Sequence, residues 1–277
     1  MSATKNMIIS TVFFAIMQVC VKAIKHIPVF EIIVFRSLVI IAICCVFFRR
    51  HRISPWGNNK RLLIARGVAG SIALLLFFYT LQHIPLAYAT TIQYLSPIFT
   101  VIIAGVFLKE YATLSQWLFL AIAFLGIVCI QGFDVRVSLF MASIGVFSAL
   151  MSATAYNIIR VLKDENPLVI VFYFPFVASI IYMPLAIIYW ETPQSKDWFF
   201  LIAAGVATYL AHTYMTKAYQ EEKASNIVNL KYLGTVFSLV FGYVLFNESI
   251  VFMSFIGMLL IVFSALGTQL LRKPKSA

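Results

Sequence analysis

Charge is scarce in this chain. Of 277 residues only 11% are Asp, Glu, Lys or Arg, and the acids number ten. Soluble domains carry about 25% charge, and a soluble core of this length would not hide a composition that is 62% hydrophobic. Lipid is therefore the solvent for most of the chain. Cysteine is equally sparse. Cys20, Cys44, Cys45 and Cys129 all fall in hydrophobic stretches, none in a CxxC pair or beside a histidine. That pattern argues against a disulfide framework and a metal site. No HExxH, GxSxG, paired-Asp or Cys/His metal pattern occurs, so no catalytic residue, metal or cofactor is expected, and a membrane enzyme is disfavoured. The first hydrophobic stretch, from Met7, lacks a small-residue cleavage site and reads as a retained span rather than a signal peptide.

What the chain has instead is long apolar runs. A span needs about 20 apolar residues. By that measure ten helices are expected, over 6–24, 29–48, 62–81, 86–108, 114–131, 139–160, 168–190, 197–218, 224–246 and 250–271. Turn chemistry separates them: His26-Ile27-Pro28, Pro55-Trp56-Gly57-Asn58, Ile84-Pro85, Gly132-Phe133-Asp134, Glu165-Asn166-Pro167, Thr192-Pro193 and Asn247-Glu248-Ser249. The fold class is an all-α integral membrane protein. The net charge of +11 needs no nucleic acid. Its largest cluster is Arg49, Arg50, Arg52, Lys60 and Arg61, with only Trp56 as an interleaved aromatic, which is no base-reading groove. With the N-terminus in the cytoplasm, that side holds Lys5, the 49–66 cluster, Lys109, Arg160, Lys163, Lys217, Lys223, Arg272, Lys273 and Lys275. The other side holds Lys22, Lys25, Arg136 and Lys196. Fifteen positive charges against four place both termini in the cytoplasm by the positive-inside rule.

One phrase occurs twice. Tyr94-Leu95-Ser96-Pro97-Ile98-Phe99-Thr100 runs on to Glu110, and Tyr232-Leu233-Gly234-Thr235-Val236-Phe237-Ser238 runs on to Glu248, each pair 138 positions apart. Val12-Phe13-Phe14-Ala15-Ile16-Met17 resembles Val146-Phe147-Ser148-Ala149-Leu150-Met151, Pro28 matches Pro167, and Gln82 matches Gln220. The first five spans (1–133) thus map onto the last five (134–277). Five is odd, so the second copy enters from the opposite face, and inverted repeats of this kind support alternating access.

Taken together, Arg36 in Phe35-Arg36-Ser37-Leu38, the stretch from Pro85-Leu86-Ala87 through Pro97, Glu110 with Gln116 and Gly126, and Glu248 with Gly257 give the whole chain a resemblance. It resembles the EamA-type family of the drug/metabolite transporter superfamily. The resemblance implies ten transmembrane helices in two inverted five-helix repeats, a solute pathway through the middle, and a place in the bacterial inner membrane. It implies no particular substrate. The copies differ in detail: Thr235 stands for Pro97, Ser264 for Gly126, and Pro175 opposite Arg36.

Ionisable groups inside a bilayer are expensive, and their default reading is functional. Lys231 lies about seven residues into the ninth span, roughly 11 Å deep at ~1.5 Å per residue. Val228, Tyr232 and Thr235 share its stripe, and Thr90, Gln93, Tyr94 and Pro97 form the equivalent stripe of the fourth span. Both stripes are expected to face a cavity, with snorkelling of Lys231 as the alternative. Arg36 is similarly deep in the second span, where a structural role weighs as much as ligand contact; Glu31 is too far round the helix to pair with it. Asn157 and His212 are polar groups within spans, for which interhelical hydrogen bonding is the plainer role. Tyr79, Tyr156, Tyr173 and Tyr214 can line a pathway. The substrate-binding set expected is Lys231, Tyr232, Gln93, Tyr94, Arg36, Tyr79, Asn157, His212 and Tyr214. Glu110 and Glu248 stand at span ends and read as structural.

The deep charges, Arg36 and Lys231, are both positive. A desolvated cationic cavity favours an anion or a carboxylate-bearing zwitterion over an organic cation. The expected function is a secondary transporter of a small polar metabolite, an amino acid or an organic anion-like solute, working by alternating access. A drug or toxic-metabolite exporter of the same fold is the alternative, and a channel the remote one. With no cluster of intramembrane acids, exchange or facilitated movement is expected; His212 or Glu31 is the fallback site if a proton is coupled.

Overall fold

The computed structural model of the chain describes residues 2–24, 26–84, 86–131, 138–246 and 252–271. Every regular element among them is helical. The helices are α1 (Ala3–Ala23), α2 (Val29–His51), α3 (Lys60–His83), α4 (Leu86–Gln93), α5 (Ser96–Leu108), α6 (Leu114–Gln131), α7 (Leu139–Val161), α8 (Pro167–Ile188), α9 (Ser195–Glu221), α10 (Ala224–Ile227), α11 (Leu233–Phe246) and α12 (Phe252–Leu270). A 3-10 segment, Val228–Tyr232, joins α10 to α11. Among the described residues nine helical stretches are long and apolar enough to cross a bilayer, and Leu114–Ile130 is a shorter apolar helix at the fifth expected span. Large apolar side chains such as Val106, Phe107, Ile187, Ile188 and Leu266 stand exposed on them, an arrangement suited to lipid. The protein is an all-α integral membrane protein. The turn signals at Pro85, at 132–134 and at 247–249, the cations Lys25, Arg136, Arg272, Lys273 and Lys275, and the side chains of Gln82 and Thr90 lie outside the described residues.

Two expected spans are not continuous helices. The fourth, 86–108, divides into α4 and α5 at Tyr94-Leu95, whose N–H groups bond three residues back to the carbonyls of Thr91 and Ile92. Pro97 is the cause. Lacking an N–H, it sits in the first turn of α5, where proline is tolerated; inside a continuous helix its ring would clash with the carbonyl four residues back. The ninth, 224–246, tightens to 3-10 winding over Val228–Tyr232 and returns to α at Leu233. Gly234, at the position of Ser96, is the poor helix former beside that change. Both interruptions fall on the equivalent Tyr-Leu pairs of the repeated phrase. A 3-10 stretch in mid-span often marks a hinge.

The chain divides into two compact units. The first comprises Met1–Ile72 and Ile158–Glu221. In it α1 packs along α9, and α2 packs on α8 and α9. Ser10 Oγ donates to the Ala211 carbonyl at 2.8 Å, and Asn6 Nδ2 reaches the Glu221 carboxylate at 3.3 Å. At one end Ile24, Ile27, Ile32 and Leu201 form a core beside the His26–Asp197 pair, at 3.0 Å. At the other, the loop after α2 turns at Gly57, φ +62°, and the Glu165 carboxylate accepts the N–H groups of Asn58 (2.7 Å) and Asn59 (3.3 Å). Hydrogen bonds to a charged group contribute about 1.5–3 kcal/mol each, which ties this loop to the start of α8. Asn166 caps α8 with Pro167 at its first turn, and Gln220 Nε2 satisfies the Leu162 and Glu165 carbonyls.

The second unit comprises Ala73–Asn157 and Glu222–Ala277. Here α6 packs along α12, over a core of Val101, Leu120, Ala123, Ile127, Val228, Tyr232 and Ile261. Gly126 and Gly257 face each other at this crossing: a Cβ on Gly257 would stand 2.4 Å from the Gly126 carbonyl oxygen. Polar brackets hold the short α10. Asn226 Oδ1 accepts from Gln116 Nε2, its Nδ2 donates to Glu222 at 3.0 Å, and its carbonyl accepts from Gln269 Nε2 at 2.8 Å.

Candidate functional site

Helix α7 carries Ser148, Ser152 and Tyr156 at four-residue intervals, and so on one face. Gln93, the last residue of α4, lies against the two serines. Its Nε2 donates to Ser152 Oγ at 2.8 Å and its Oε1 accepts from Ser148 Oγ at 3.0 Å. The Gln93 amide is therefore used within the protein, clamping the end of α4 to α7 just before the break.

One turn further along α7, the Tyr156 ring meets Lys231, whose Nζ stands 3.6 Å from the ring centroid. Lys231 is half-buried in the 3-10 segment. Among the described residues no carboxylate pairs with it. An ammonium over an aromatic face gains about 2 kcal/mol when desolvated, so the ring steadies this charge.

The two helix interruptions meet beside this pair. The rings of Tyr94 and Tyr232 lie with centroids 5.6 Å apart, and the Tyr232 hydroxyl donates to the Tyr94 carbonyl at 3.0 Å. Thr235 Oγ1 donates to the Tyr94 hydroxyl. Thus the residue that departs from Pro97 in the second copy supplies a bond that proline cannot. Asn157 Nδ2 donates to the Thr100 carbonyl of α5 at 3.1 Å and to Ala153 at 3.0 Å, the interhelical role expected of it, while its Oδ1 is buried without a partner among the described residues.

Gln93, Tyr94, Asn157, Lys231 and Tyr232 therefore share the second unit, with Tyr156, Ser148, Ser152 and Thr235 beside them. Tyr79 belongs to the same unit but is exposed and lies against His83, with ring centroids 4.2 Å apart. Arg36, His212 and Tyr214 belong to the first unit. Arg36 is 8% exposed, and its Nε has no acceptor among the described residues. Glu31 is not its partner, since its carboxylate accepts the Glu191 N–H at 3.0 Å. His212 packs edge-on to Phe14 (5.2 Å) and tilted to Phe174 (5.3 Å), and Tyr214 stacks on Phe13. Glu110 follows the left-handed Lys109, and its N–H returns to the Ala104 carbonyl at 3.1 Å, which closes α5. The next helix is opened instead by Thr113 and Gln116, which bond each other's N–H groups. Glu248 is outside the described residues. An apolar groove of about 350 Å³, lined by Phe13, Ile16, Phe199 and Ile202 among others, contains none of the candidate residues.

Tyr156 is among the tyrosines that the sequence marks as able to line a pathway, but the sequence does not place it beside Lys231. The stripe Ser148-Ser152-Tyr156 pairs small hydroxyls with an aromatic at helical spacing, as a surface meeting polar groups would.

The family model of the EamA-like transporters matches this chain twice, over residues 2–131 and 139–269. The chain belongs to the EamA-like transporter family. It is a membrane transporter, not an enzyme. Among the relatives of this EamA-like transporter is the pseudopaline exporter of Pseudomonas aeruginosa, 29% identical over 87% of this chain and 86% of that one. The S-adenosylmethionine uptake transporter of Rickettsia conorii is 25% identical over 79% of this chain and 75% of its own. A solved crystal structure aligns with a TM-score of 0.87, covering 97% of this chain and 96% of the other at 15% identity, a likeness of fold.

Proposed function

We propose that this protein is a secondary transporter that moves a small polar metabolite bearing a carboxylate, an amino acid or organic anion, by alternating access. The observation that carries the reading is Lys231, half-buried, over the Tyr156 ring, at the interruption of one repeat and beside the interruption of the other. Broken helices at corresponding positions of two repeats mark solute sites in many carriers. A half-buried ammonium with no carboxylate partner among the described residues leaves the counter-ion to the solute. Residues 1–133 and 134–277 form the two inverted repeats in this reading, and exchange of their conformations opens the site to either side. The relatives are named for opposite directions, one an exporter and one an uptake transporter. A carrier that alternates access serves both, and gradients set the sense of flow.

Counterflow tests the carrier mechanism. In proteoliposomes preloaded with the unlabelled solute, uptake of labelled amino acids or organic anions is expected to overshoot its equilibrium level. Uptake that never overshoots, whatever solute is inside, points to a pore and sinks the proposal. The charge bias of fifteen against four supports insertion into a bacterial inner membrane with both termini cytoplasmic. A reporter fused after Ala277 is expected to be active only as a cytoplasmic enzyme; activity of a periplasmic reporter there reverses the orientation.

A further inference from the structure

The reading that Lys231 meets a carboxylate is the ground for a narrower one. We infer that Tyr156 selects zwitterions over simple anions, as a cation seat that Lys231 vacates and the substrate's own ammonium fills. The Lys231 ammonium lies 3.6 Å from the ring centroid, which is full occupancy of that face. The helix that carries the ring is anchored on both sides of it. Four residues before it Ser152 accepts from Gln93 at 2.8 Å, and immediately after it Asn157 donates to the Thr100 carbonyl at 3.1 Å. Lysine, by contrast, is a point charge on a flexible four-carbon stem. When a carboxylate arrives, the lysine follows it and the ring stays.

What then covers the ring decides which solutes bind well. A plain carboxylate leaves the face without its cation and forfeits the cation–π contribution. An α-amino acid carries its ammonium on the carbon next to its carboxylate, so one solute answers both the lysine and the ring it has left. Among the described residues no acid of this unit pairs with Lys231. The unit's acids among the described residues are Glu110, at the end of α5, and Glu222, bonded to Asn226 Nδ2 at 3.0 Å and to the Lys223 N–H at 3.1 Å. A neutral zwitterion also leaves the charge of the site at that of the empty state, whereas a monoanion cancels it.

Binding to matched pairs tests this on the purified full-length protein. The probes are leucine against 4-methylpentanoate, phenylalanine against 3-phenylpropanoate, and glutamate against glutarate, by calorimetric titration. The expected result is that at least one amino acid binds about tenfold or more tightly than its partner lacking the amine, as loss of a desolvated cation–π contact implies. Tyr156→Leu or Tyr156→Met, either being a ringless variant, brings the ratio close to one, and Tyr156→Phe keeps it. Equal binding of both members of every pair by the parent overturns the inference with no variant needed. So does a ratio unchanged in a ringless variant, and either result leaves the carboxylate site standing. If no probe binds, or if Lys231→Met binds them as the parent does, the carboxylate reading falls and the inference falls with it.

Discussion

Replacing Lys231 by methionine is expected to lower binding and transport of carboxylate-bearing solutes by about thirtyfold or more, while the protein still folds. Methionine matches the length of the lysine stem and lies well against aromatic rings, so the Tyr156 face keeps a neighbour. What disappears is the charge. Truncating one member of a desolvated charge pair costs about 2–5 kcal/mol, which is roughly thirtyfold to several thousandfold in affinity. Stability is expected to hold or rise, because a half-buried ammonium with no carboxylate partner among the described residues is an expense of the empty protein. Titration of carboxylates against both proteins, with melting temperatures measured alongside, separates loss of site from loss of fold. A Lys231→Met protein that melts lower and binds as before would make Lys231 structural. Lys231→Arg keeps a cation able to stack on Tyr156 and is expected to retain part of the affinity.

The second large effect is on stability. Gly257→Val is expected to unfold the second unit or to lower its melting temperature by many degrees. Helices α6 and α12 touch at Gly126 and Gly257, where a Cβ on either glycine would stand 2.7 Å or 2.4 Å from the other's carbonyl oxygen. The obstacle is backbone, so no side chain can swing aside. The helices must part, and the core of Leu120, Ala123, Ile127 and Ile261 between them opens. Overpacking a closed core costs typically about 1–3 kcal/mol, and separation of two helices adds lost contact on both sides. Within a membrane such small-residue crossings are what hold helices together. Gly105→Ala is the control, since a Cβ there meets only Tyr111, at 3.7 Å. Thermal unfolding in detergent checks both; a Gly257→Val protein that melts like the parent would refute this close crossing.

Composition alone reads the solvent, the all-helical class and most span boundaries, because burial in lipid demands uninterrupted apolar runs and leaves little freedom. The repeat is legible from the Tyr-Leu phrases, and the expense of its charge is what singles out Lys231 as a candidate. The interruptions at Tyr94 and Tyr232 are not, although Pro97 and Gly234 stand beside them. Hydropathy averages over a span and is blind to a change from four-residue to three-residue bonding. Pairings are harder still. Gln93 looks like a free polar group on a helix stripe, and only the fold brings Ser148 and Ser152 to both ends of its amide. The partner of Lys231 is another instance. Tyr156 is 75 positions away in the chain, and no local pattern links them. His212 and Arg36, grouped with Lys231 on polarity alone, have neighbours of their own in the first unit.

The composition of the two compact units bears on what the duplication made possible. The first unit takes α1, α2 and the start of α3 from one family match and the end of α7, α8 and α9 from the other; the second takes the end of α3 and α4 to α6 from one and most of α7 with α10 to α12 from the other. A single copy therefore lacks the helices to close either unit, and would have to take them from a second chain. Two identical chains must offer the same residue at equivalent places. Only after fusion can one side hold Gln93 as a clamp while the other holds Lys231 as a charge, or one side break its helix with Pro97 while the other uses Thr235 as a donor. The asymmetry of the candidate site is thus a property that a symmetric pair has no way to acquire.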